Sequence, residues 1–146
     1  MFTESYVVPI NQPSKVVFEY INNLDNIPTW QGGIEKISYT QNPAGLGTRF
    51  CIDRSILGKH FSTTLKIINF TENHGYVAQS VGGPVGLTIE VSLDADKGKT
   101  NFSTVVKGEA KGLARLAETL IAAQLAISLR EDGERLKALL ESTKIG

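Results

Sequence analysis

The chain contains a single cysteine, two histidines, no excess of either charge and no long run of purely apolar residues. Cys51 has no partner for an internal disulfide, so the fold is not held by staples and a cytoplasmic location is expected. One thiol and two scattered imidazoles, His60 and His74, give no cluster at ligand spacing, so neither a metal nor any other cofactor is expected. Fifteen basic and fifteen acidic side chains cancel, and neither sign is gathered into a block. That removes the electrostatic footprint of a nucleic-acid partner or an anionic membrane. The C-terminal helical pattern is broken by Arg115, Glu118, Gln124 and Arg130, so membrane insertion is not expected. The first residues lack the basic and apolar regions of a secretion signal. At 146 residues the sequence fits one domain, 1–146, able to bury about two thirds of the surface its unfolded chain exposes.

What is present is a run of strand signals followed by one long helix. Residues 2–10 are β-branched and aromatic and read as a first strand. Asn11 and Pro13 then supply a cap-like polar residue and a proline suited to a first helical turn, predicting a short helix over 14–21. A break over 22–28, with room for one more helical turn, leads through Trp30 and the pair Gly32 and Gly33 into strands. From Ile34 onward, runs of strand-forming residues alternate with turn signals at 42–45, 58–59, 73–75, 82–84 and 94–98, which predicts an antiparallel meander. A pattern of helical period fills 113–142. Its face holds Leu113, Leu116, Ala117, Leu120, Ile121, Gln124 and Ile127, giving way to Leu125, Leu129, Leu136 and Leu139. Strands with one apolar face need a cover, and one helix laid across a curved sheet tends to leave a hollow.

The hairpin at Gly58 and Lys59 fixes an expected register. A two-residue loop there pairs Ile56 with Phe61, Arg54 with Thr63, Ile52 with Leu65 and Phe50 with Ile67, placing all of them on one face. Cys51, Asp53 and Arg49 fall on the opposite, wet face. Arg54 is the sharpest local feature, because a guanidinium keeps its charge and here stands among apolar neighbours. It either anchors an acidic or carbonyl group of a ligand, or reaches water or a carboxylate such as Glu109. Gln124 interrupts the apolar stripe of the helix, where an unpaired amide would cost roughly 1–3 kcal/mol, so it needs a partner. Ser128 is a weaker case of the same kind. Alanines at 114, 117, 122, 123 and 126 would leave room above the sheet or allow tight packing. Tyr39, Tyr76 and Gln79 are further candidates for inward polar groups, while the histidines fall at hairpin ends.

The layout of strand, two small helices, six strands and a long helix, with its local wording, resembles the START-related (SRPBCC) superfamily of helix-grip proteins, in particular the polyketide cyclase/dehydrase and lipid-transport family. The residues that carry the likeness are Ile10 to Pro13 with Val17, Phe18 and Tyr20; Ile27 to Trp30; Gly45 to Phe50; Gly82 to Pro84; and Gly108 to Leu113. They span nearly the whole chain. The resemblance implies an α+β helix-grip fold, a curved seven-stranded antiparallel sheet wrapped around the long C-terminal helix with two short helices after the first strand. It also implies that Trp30 sits beside the cavity opening and that the loop at 81–86 corresponds to a gate.

Together these readings give a cavity between sheet and helix, lined by Phe50, Ile52, Phe61, Leu65, Leu87, Ile89, Leu116, Leu120 and Gln124, with Arg54 as polar anchor and Trp30 near the entrance. The expected partner is a small hydrophobic molecule such as a lipid, quinone or polyketide, held without catalysis. A cyclase-like enzyme is the rival and would need an acid or base deep in the cavity. An interaction module without ligand is the third reading, and would show a closed core with a large apolar surface patch.

Overall fold

A computed structural model describes residues 1–56 and 58–142, with the backbone alone at Ile56. Seven strands, β1 (Phe2–Ile10), β2 (Ile34–Tyr39), β3 (Arg49–Ile56), β4 (Lys59–Thr71), β5 (Gly75–Ser80), β6 (Val85–Asp96) and β7 (Lys99–Ala110), form one sheet. Its order is β1-β7-β6-β5-β4-β3-β2, antiparallel throughout. From β2 to β7 each strand pairs with the next, as short turns require. The long connection from β1 to β2 crosses from one edge to the other and carries α1 (Ser14–Asn22), a 3₁₀ turn (Leu24–Asn26) and α2 (Ile27–Trp30). After β7, a 3₁₀ segment (Gly112–Ala117) leads into α3 (Glu118–Ser142).

Local chemistry explains these boundaries. The β6–β7 loop pairs Asp96 with Lys99 across Lys97 and Gly98, both at positive φ (51° and 82°), the backbone of a two-residue turn that matches strand twist. Gly75 opens β5 at φ 143°, where an added Cβ would lie 1.9 Å from the Val91 carbonyl oxygen, so only glycine lets β5 meet β6 there. Pro13, rather than Asn11, is the residue before α1, and no side chain caps the helix. Asn11 instead donates its backbone N–H to Glu141 at 2.9 Å, fastening the β1–α1 corner to the end of α3.

The β3–β4 hairpin differs from the expected register by two residues. Arg54 pairs with Phe61, Ile52 with Thr63, Phe50 with Leu65 and Ile56 with Lys59, because the turn is centred one residue earlier, which moves each partner by two, with Gly58 at φ 77°. An even shift preserves the faces, so the apolar set still points one way. The expected inward side chain of Ile56 lies outside the described residues.

The sheet and helix meet closely at one end. Leu136 and Leu140 of α3 are buried against Val8, Ile10, Phe18 and Phe102. Gly133 lets the helix approach β1: a Cβ there would stand 3.1 Å from the Tyr6 ring and 3.5 Å from Val8. The first half of the same helix is different. The stretch Gly112–Ser142 includes an eighteen-residue window whose length and mean hydropathy would suffice to cross a membrane, although Arg115, Glu118, Gln124 and Arg130 interrupt the apolar pattern of the stretch. No residue of that window is buried.

Candidate functional site

Where the first half of α3 stands away from the sheet, a cavity of about 470 Å³ opens beneath it. Its size lies within the range of pockets that enclose small organic molecules, roughly 300–1,000 Å³. The floor is the inward face of the sheet: Phe50 and Ile52 of β3, Phe61 and Leu65 of β4, Ala78 of β5, Leu87 and Ile89 of β6, and Val106 of β7. These side chains share a face because residues two apart point the same way on a strand. The roof is Leu120, Ile121, Gln124, Leu125, Ser128 and Leu129 of α3. None of the alanines of α3 lines it, so the room does not come from them.

Of the side chains expected from sequence, Phe50, Ile52, Arg54, Phe61, Leu65, Leu87, Ile89, Leu120, Gln124 and Trp30 are brought together here. Leu116 is not. It is 88% exposed and turns outward, because the chain from Gly112 to Ala117 is wound as 3₁₀ helix and the face extrapolated from α-helical period rotates away from the sheet. Leu113 and Ile127, assigned to the same face, are exposed as well. Leu120 belongs to the lining yet is 75% exposed, which places it at the rim. Trp30 is not at the entrance. It is 6% exposed, packs edge-on against Phe102 with ring centroids 6.0 Å apart, and forms part of the inner wall.

The polar groups in this wall form a chain of contacts. Arg54 donates to Gln31 Oε1 at 3.2 Å, and no ion pair within 4 Å engages it among the described residues. Glu109, its alternative partner from sequence, is not in contact; the nearby negative charge is Asp132. Burial pulls the Arg54 guanidinium below its ordinary value, and the Asp132 charge works against that pull. Asp132 itself accepts from the Gly32 N–H at 3.0 Å and from Arg135 at 3.1 Å, while Arg135 also donates to the Trp30 carbonyl at 2.9 Å. Burial pushes the Asp132 carboxyl above the usual range, against the opposing effect of the Gly32 N–H and of the Arg135 and Arg54 charges. These bonds tie α3 to the segment after α2 and hold Asp132 and Gln31 beside Arg54.

Gln124 is paired within the helix, donating to Ser128 Oγ at 3.5 Å. Tyr76 of β5 also lines the cavity, and burial raises its hydroxyl to about 12. Tyr39 and Gln79 do not face inward: Tyr39 is exposed and donates to Asp25 at 2.9 Å, and Gln79 is exposed. His60 and His74 are exposed, the former 2.6 Å from Glu35 and the latter bonded to the Glu72 carbonyl. Cys51 faces the outer side, 3.2 Å from Ser62 Oγ. Among the described residues there is no group of three or more His, Cys, Asp or Glu able to hold a metal. In the loop at 81–86, Val81 to Pro84 are exposed, and Val85 alone lines the cavity.

Sequence reasoning missed Asp132 and Gln31. A signal for the first was present: Gln124, Ser128 and Asp132 recur every four residues, one line on the helix between Leu120 and Leu136. Gln31 follows a helix end and carries no periodic signal.

No protein-family model and no curated protein matches the sequence. Solved structures do match. The crystal structure of Ara h 8.0201 is similar at TM-score 0.74 with 16% identity, over 97% of this chain and 99% of that one. The Zhui aromatase/cyclase from Streptomyces sp. R1128 matches at TM-score 0.77 and 10% identity, over 96% and 93%. TTHA0849 from Thermus thermophilus matches at TM-score 0.75 and 15% identity, over 97% and 100%. The chain therefore has the helix-grip fold, a seven-stranded antiparallel sheet closed by a long C-terminal helix. The Zhui aromatase/cyclase and Ara h 8.0201 share this architecture.

Proposed function

We propose that the protein is a carrier or sensor that holds a small, largely apolar molecule under the first half of α3, without changing it chemically. The observation that supports this reading is the cavity of about 470 Å³ with apolar walls and one partly buried guanidinium, Arg54, that among the described residues makes a single hydrogen bond, to Gln31. Affinity would come from desolvating apolar ligand surface, at about 25 cal/mol per Å² before ordering costs. Direction would come from Arg54, whose remaining N–H donors suit a carboxylate or carbonyl oxygen. The line of Gln124, Ser128 and Asp132 favours a guest with further polar groups along the edge that meets the helix. Lipids, quinones and polyketides all have such a body and such oxygens. An interaction module would have a closed core, and the open interior weighs against it.

The test compares 2-naphthoic acid with naphthalene as probes. The wild type should bind the acid at least about tenfold more tightly, and Arg54→Met should bring the two affinities together by weakening the acid. An acid affinity unchanged by Arg54→Met would remove the anchor.

A second reading, a cyclase-like enzyme, is favoured by Asp132 and Tyr76, a carboxyl and a hydroxyl whose burial disfavours their charged forms. A carrier yields its copurified guest chemically unchanged, whereas an enzyme turns the guest over; mass spectrometry before and after incubation separates the two.

A further inference from the structure

The exposed first half of the terminal helix has a surface that the cavity does not use. Leu113 and Leu116 are 87% and 88% exposed, and in a 3₁₀ segment side chains three apart eclipse, so the two stack on one outward side. Leu120, four residues on, continues the stripe to the cavity rim, where Phe61 is 48% exposed. Val81 is exposed on the β5–β6 loop, whose Pro84 carbonyl accepts from the Lys111 N–H at 2.8 Å. An apolar ridge thus runs from the start of the helix to the opening it overhangs.

Cations flank this ridge. Lys111 and Arg115 alternate with its leucines, and Lys59 stands at the rim; all three are exposed and none makes an ion pair within 4 Å among the described residues. Glu118, whose carboxylate feels the Arg115 charge, is hydrogen-bonded by the Met1 amino group and the Ala110 N–H. Glu109 points to the other side of the sheet, in alternation with buried Gly108 and Ala110. Lys59 stands far from Lys111 and Arg115 in sequence, which is why charge blocks did not reveal the group and the fold does.

Exposed leucines beside unpaired cations match the interfacial region of an anionic bilayer, where apolar side chains enter the headgroup layer and lysine and arginine meet lipid phosphates. We infer that the ridge of Leu113, Leu116 and Leu120, flanked by Lys59, Lys111 and Arg115, docks the cavity mouth on an anionic lipid surface, without spanning it. The docked pose faces the opening toward the lipid, so a guest could pass without crossing water. This use builds on the proposed carrier function, but docking needs no occupied cavity.

Flotation with phosphatidylcholine vesicles, with and without about 30% phosphatidylglycerol, tests it. The protein should float with the anionic vesicles only, and release as salt is raised to about 0.5 M. Leu113→Ser/Leu116→Ser, at positions outside the cavity wall, should lower the bound fraction at least about fivefold, as should Lys111→Gln/Arg115→Gln. Circular dichroism and naphthoic acid binding of both variants should match the wild type, which keeps loss of docking distinct from loss of folding or of the cavity. Flotation equal in wild type and variants, or none with anionic vesicles at low salt, would overturn the inference. So would a dimer in sedimentation velocity that the leucine variant lacks, since a second copy would then be the cover.

Discussion

Tyr76 carries a consequence of the cavity that can be measured on one side chain. Its hydroxyl titrates near 12 in the folded protein, against about 10 for an exposed tyrosine, because phenolate would be formed away from water. The unfolded chain therefore releases this proton first as pH rises. Stability is unaffected by Tyr76 below about pH 10 and falls between about pH 10 and 12. Tyr76→Phe should flatten that part of the thermal unfolding profile, and an unchanged slope would contradict the burial. Arg54 illustrates how far single residues were legible. Alternation along β3 was enough to turn its side chain inward, and the two-residue error in register did not alter the face. Its neighbours come from elsewhere in the chain, Gln31 from 23 positions away and Asp132 from the middle of the terminal helix, and local pattern holds no information at that range.

At the scale of elements, α3 is two structures in one sequence run. Its second half is bound to β1 through Leu136, Leu140 and Gly133 and to the segment after α2 through Asp132, while its first half is fastened at Glu118. Leu136→Ala should cost about 2–5 kcal/mol, read as a lowered midpoint in urea with little change in slope, because a fully buried side chain in the helix–sheet contact is removed. A loss under about 1 kcal/mol would show that this end does not anchor the helix. The strands were readable from alternation and turn chemistry. The helix was readable as a helix, and its facing was readable from Leu120 onward but not through Gly112–Ala117, where the chain is 3₁₀ and a 3.6-residue period does not hold. Leu113 and Leu116 were thereby assigned inward when they face out.

The whole molecule depends on a terminal helix that packs against the sheet at one end and stands over a cavity at the other. Core packing around Leu136 and Leu140 and the cavity under the first half of α3 both depend on how the helix is set on the sheet, which no single segment of sequence records. The class of fold was legible because element order survives local errors; the cavity was legible only as the expected result of that order. Trp30 is the chain's one tryptophan and lies in the cavity wall, so energy transfer from it to bound 1-anilinonaphthalene-8-sulfonate reports occupancy of this site. Saturable one-site transfer is expected in the folded protein, strongly weakened in Thr63→Phe/Thr104→Phe, where two added rings take up part of the space between sheet and helix while cooperative unfolding is retained. Transfer that never saturates, or that persists undiminished in the filled variant, would contradict it.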